Sequence, residues 1–174
     1  MVLRRLKPVR IIVKIETRSV SASVSVLVLV AAFALPIGKA AEKDIDSVAG
    51  TYTPVLNAQF GDKARGQLIL GSDGYYSLAL ARATLPKIAA DTREKGTAEE
   101  NKAIVGGSIF HFGKYMVDWQ GQTITFNIEA SSYSNWNGTT LKRTFKVVGD
   151  QLTYTNAAPS SGGPPQEVIW RRVR

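Results

Sequence analysis

The sequence predicts an all-β fold, an eight-stranded up-and-down antiparallel barrel with one short helix. Three observations carry that expectation. From Val48 onward, short runs alternate apolar and polar residues. Clusters of Gly, Asp, Ser and Gln separate them. Eight runs joined mostly by tight turns suit a sheet that closes on itself, because closure removes exposed edges.

The first 40 residues stand apart from this pattern. Arg4, Arg5, Lys7, Arg10, Lys14 and Arg18 face one acid, Glu16, and "VSVLVLVAAFALPIG" then runs uncharged from Val24 to Gly38. A basic stretch, an apolar stretch and a small-residue exit at Gly38-Lys39-Ala40 describe a secretory signal peptide over residues 1–40, cleaved after Ala40. A retained N-terminal anchor is the alternative, although the apolar stretch falls short of the roughly 20 residues a membrane span needs. The expected location is the periplasm or the exterior, with no membrane association after cleavage.

The leader holds seven of the 22 basic residues and one of the 14 acids, leaving 15 and 13 over residues 41–174, a net of +2 against +8 for the whole chain. That balance does not support a nucleic-acid face, which needs clustered positive charge. The absence of cysteine excludes disulfides, thiolate chemistry, Cys-ligated zinc and a lipidated N-terminal cysteine.

The strands follow in order. "VAGTYTPV" (48–55) is the first. "GQLIL" and "YYSLALAR" flank the turn Gly71-Ser72-Asp73-Gly74, "GSIFHFGKYMVDW" and "QTITFNIEA" flank Gln120-Gly121, and "TTLKRTFKVV" and "QLTYT" flank Gly149-Asp150, giving three hairpins. "EVIWRRV" closes the chain after the turn-rich "NAAPSSGGPPQ". The one helical signal is "TAEENKAIVGG", with a Thr97–Glu100 capping box and a Gly106-Gly107 stop, expected to lie over one barrel end.

The succession "GTY", "GQLILGSDGYYSLAL", "TAEENKAIVGGSIFHFGKYMV", "NIEASSYSNWNGTTLKRTF", "GDQLTY" and "VIWRRV" resembles the bacterial and fungal lipocalin-like domain family, among the calycin-type barrels, over about residues 47–173. The resemblance implies a barrel that holds a small molecule. It also implies that the first-strand aromatic, a tryptophan in the family and Tyr52 here, packs near a basic residue of the last strand, Arg171 or Arg172.

Few residues offer chemistry. His111 is the sole histidine, no nucleophile, phosphate-loop or dinucleotide motif occurs, and no catalytic residue, metal or cofactor is expected. A histidine in such a strand is usually exposed or held by one hydrogen bond. Arg143 keeps phase with Leu141, Phe145 and Val147, which places it on the apolar face, where it needs a carboxylate such as Glu129, backbone carbonyls or an acidic ligand. Tyr133 and Trp136 lie in "SSYSNWNGTT", a strand connection whose aromatics are expected to fold inward as a plug or a ligand contact. The sequon Asn137-Gly138-Thr139 is read as incidental.

The candidate ligand-binding set is therefore Tyr76, Phe110, Phe112, Phe126, Tyr133, Trp136 and Arg143. The expected function is export followed by binding of a small, largely apolar molecule inside the barrel. The alternatives are a cyclase or isomerase that holds a reactive substrate in shape, and a filled barrel that works through a protein partner and carries an exposed apolar patch on its outside.

Overall fold

The structure, a computed structural model, describes residues 45–174. The leader expected over residues 1–40 lies outside the described residues. Eight strands form: β1 (Gly50–Asn57), β2 (Arg65–Leu70), β3 (Tyr75–Ala81), β4 (Ser108–Asp118), β5 (Thr123–Ser131), β6 (Thr140–Val148), β7 (Gln151–Asn156) and β8 (Gln166–Arg172). Each pairs antiparallel with the next, and β1 pairs with β8, so the sheet is a closed up-and-down barrel.

Alternation sets what lies inside. In β3, Tyr76, Leu78 and Leu80 are buried between exposed neighbours, and β6 buries Arg143 and Phe145 in the same way. Tyr52, Leu68, Tyr115, Phe126, Leu152 and Trp170 are fully or almost fully buried, each such side chain stabilising by roughly 1.5–3 kcal/mol. The strand faces thus fill most of the lumen.

Two register shifts interrupt the pairing, one between Pro54 and Leu56 where β1 meets β8 and one in β5. Phe112 pairs with Ala130 and Gly113 with Ile128, which leaves Glu129 as the extra residue of β5. Gly113 has φ +157, and a Cβ there would meet the Asn127 carbonyl oxygen at 2.1 Å, so only glycine lets the two strands approach this closely.

Because strands alternate in direction, the hairpin turns at 71–74, 119–122 and 149–150 share one end. That end is sealed by residues 45–48, which are helical. Tyr52 donates its hydroxyl to the Val48 carbonyl at 2.6 Å, and Arg172 donates to the Ser47 carbonyl at 2.9 Å and to the Tyr52 hydroxyl at 2.8 Å. The Arg172 guanidinium lies 5.2 Å from the Tyr52 ring centroid, so Arg172 is the partner of the first-strand aromatic. Arg171 is exposed. Tyrosine in place of tryptophan keeps the ring contact and adds a hydroxyl that joins three elements.

The long connections gather at the other end. The β3–β4 connection contains α1 (Ala98–Gly107), whose Thr97–Glu100 capping box forms as the sequence predicts. The Glu100 carboxylate also accepts from the Ala89 backbone at 3.0 Å, which ties the polar segment before the helix to it. Only Gly107 of α1 is buried, and no α1 residue joins the core, because its few apolar side chains give it nothing to insert. The residues that close this end are Phe60 from the β1–β2 loop and Trp136 from the β5–β6 loop.

Candidate functional site

Arg143 is the residue around which the end closed by Phe60 and Trp136 is arranged. Its place on β6, paired with Ile124 of β5, turns it into the lumen, and it is only 5% exposed. Its guanidinium sits 4.7 Å from the Tyr154 ring centroid and 5.5 Å from that of Phe126, contacts that partly offset the lost hydration of the charge. Its Nε is buried and makes no hydrogen bond.

The protein partner expected from the sequence is not there. Glu129 is the bulge residue of β5 and is exposed, pointing away from the lumen. Among the described residues the one ion pair joins Arg174 to Asp150. A buried guanidinium without a carboxylate is thus part of the folded barrel.

His111 shares the cavity. Unbroken alternation along β4 turns His111 inward together with Ile109, Gly113 and Tyr115, and His111 is 2% exposed. Its Nδ1 lies 2.9 Å from the Tyr76 hydroxyl, which donates to it when the ring carries its proton on Nε2. Burial, reinforced by the Arg143 charge, lowers the imidazole pKa to about 3, so the ring is neutral at physiological pH. Burial likewise pushes the Tyr76 phenol above the usual tyrosine range, opposed by Arg143. Two neutral hydrogen-bonding groups therefore stand beside one fixed positive charge.

Trp136 roofs this group. Its ring meets His111 edge-on at 5.7 Å and Tyr133 at 5.6 Å. The loop that carries it is braced by its own polar residues. The Ser131 amide donates to the Asn137 side chain at 2.7 Å, and the Thr139 hydroxyl donates to the Trp136 carbonyl at 2.8 Å. Asn137 and Thr139 of the sequon thus have a folding role in holding the tryptophan in place.

Beneath Trp136 a cavity of about 20 Å³ opens among His111, Arg143, Tyr154, Phe60 and Asn156, the room of roughly one water. Outside it, a groove of about 430 Å³ runs between α1 and the β5–β6 loop, lined mainly by Ile104, Val105, Phe110 and Tyr133. Gln59 and Ile109 line both spaces and form the partition between them. The Gln59 side-chain amide also reaches the Ser160 hydroxyl of the β7–β8 loop at 3.4 Å, a long contact across the mouth.

The predicted residues divide accordingly. Tyr76, Phe126 and Arg143 lie inside, Trp136 over them, and Tyr133 in the groove. Phe110 and Phe112 do not enter the lumen: they are 50% and 42% exposed on the outer face of β4, because only one face of the strand can point inward and His111 and Tyr115 occupy it. Phe110 lines the groove from outside, and Phe112 lines neither space.

The sequence reading did not single out Tyr154, which stacks under Arg143, although Leu152 and Tyr154 alternate in "QLTYT". It also missed Phe60, held in place because the Asn57 side chain accepts from the Gln59 and Phe60 amides at 3.0 and 3.1 Å. An asparagine three residues before a lone loop aromatic was the available signal. Among the described residues no three His, Asp or Glu side chains gather at metal-binding distance.

Residues 48–173 match the family described as a lipocalin-like domain, which covers nearly the whole described barrel, and the chain belongs to that family. No curated protein matches the sequence.

Proposed function

We propose that this lipocalin-like barrel is exported and binds a small, largely apolar molecule in its interior, at the end where the long connections gather. The observation that carries the reading is the adjacency of two spaces. An apolar groove of about 430 Å³ abuts the small cavity that holds Arg143 and His111, and Gln59 and Ile109 form the wall common to both. Lipocalin-like barrels are built to enclose one small ligand. The inner space admits only about a water, so a ligand that enters it has to displace the Gln59 and Ile109 wall or the Trp136 roof. Export rests on the leader composition alone.

The test is a titration of the purified protein with the neutral fluorescent probe N-phenylnaphthylamine, paired with native mass spectrometry. Saturable binding at one site per chain, or a retained small molecule, is the expected result. Neither adduct nor saturable binding would overturn the reading.

A second reading, contact with a protein partner, is favoured by one feature. Phe110, Phe112 and Met116 stand exposed on the outside of β4, with Lys114 between the last two, and exposed apolar patches mark interaction surfaces. A Phe112→Ser variant that changes association with other chains but not probe binding would support it.

A further inference from the structure

Resting on the interior-binding reading, the geometry points to the chemical class of the ligand: we propose that it is an anionic amphiphile whose oxyanion head, of the carboxylate type, pairs with Arg143 while its apolar body lies in the outer groove. Arg143 is 95% withdrawn from water, its Nε has no partner, and no described carboxylate forms an ion pair with it. A buried charge in that state is costly and is retained where something supplies the missing counter-charge. A guanidinium also matches a carboxylate in shape, offering parallel N–H donors.

The surroundings favour an anion over a second cation or a neutral polar group. Neutral His111 supplies a ring nitrogen, and Asn156 lines the same cavity. No acid faces the space: Glu129 is exposed, and the other cavity walls are apolar or amide. The groove outside carries Ile104, Val105, Phe110 and Tyr133, which suit a hydrocarbon or aryl body. Head and body thus find matching chemistry on opposite sides of the Gln59 and Ile109 wall.

The experiment uses the full protein with N-phenylnaphthylamine bound as reporter, and compares its displacement by decanoate and by decan-ol, which share a chain and differ in the head. Wild-type protein is expected to be displaced by decanoate at concentrations about tenfold lower than by the alcohol. In Arg143→Met the preference should vanish through loss of decanoate affinity, with the alcohol unaffected, and Arg143→Lys should keep part of it. Equal displacement by both competitors in wild type, which needs no variant, overturns the anion assignment and leaves interior binding standing. A decanoate preference that survives in Arg143→Met also overturns it. Failure of the reporter to bind wild type overturns the interior-binding reading and this inference with it.

Discussion

Replacing Arg143 by methionine is predicted to make the protein more stable. The side chain is 5% exposed and its Nε is unsatisfied, and an unsatisfied buried donor costs about 1–3 kcal/mol, more when charged. Against that stand the contacts with Tyr154 and Phe126 at 4.7 and 5.5 Å, which contribute roughly 0.5–2 kcal/mol. Methionine is also unbranched and apolar and fits an irregular gap between aromatic rings. Removing the charge therefore relieves slightly more than it loses, and the expected gain is about 1 kcal/mol. For a domain of this size that corresponds to a melting temperature higher by roughly 3–5 °C. Urea unfolding followed by circular dichroism measures it, with an unchanged m value as the control that only stability moved. A loss of more than about 1 kcal/mol would refute the reasoning. It would mean that the guanidinium holds the core together and is not a group held ready for a ligand. A gain in stability alongside a loss of function is the usual signature of a binding residue.

Three further predictions concern the neighbouring groups. His111 has a folded pKa of about 3, below its unfolded value near 6.5; the unfolded chain therefore binds the extra proton first, and stability falls as pH drops through that window. The slope should approach about 1.4 kcal/mol per pH unit below about pH 6 and be reduced in His111→Gln, read from denaturant midpoints across pH. Gly113→Ala should cost at least about 2 kcal/mol, because its Cβ would lie 2.1 Å from the Asn127 oxygen at a φ of +157; a neutral result in urea unfolding would contradict the bulge. Trp136→Ala should speed probe association about tenfold in stopped-flow fluorescence, since opening the mouth then no longer breaks the ring contacts with His111 and Tyr133.

Much of the barrel was legible in the sequence because each tight turn carries its own chemistry. Gly71 to Gly74 and Gly149-Asp150 mark hairpins whatever surrounds them, and period-two alternation then sets the faces. Arg143 could be placed indoors for the same reason, from its phase with Phe145. What could not be read were properties of pairs. The bulge that carries Glu129 outward depends on Gly113 of one strand meeting Asn127 of another. In β4 both faces hold aromatic rings, so alternation separates His111 from Phe110 and Phe112 without saying which side is inside. That choice is made by the neighbouring strands. Loop aromatics show no period at all. Trp136 was recognised from its polar flanks, and Phe60, in an equally polar loop, was passed over although both close the same end. The helix α1 was legible from its Thr97–Glu100 capping box and glycine stop, and its thin apolar content leaves only Gly107 buried.

The most direct measurement of the central claim is a heteronuclear NMR titration of the wild-type protein with decanoate, resolving the Arg143 Nε–H, the His111 ring and the Trp136 indole. The account predicts that all three move together and saturate, the Arg143 signal shifting as its orphan donor gains an oxyanion. Saturating shifts confined to groove residues such as Val105 and Phe110, with Arg143 unmoved, would contradict it.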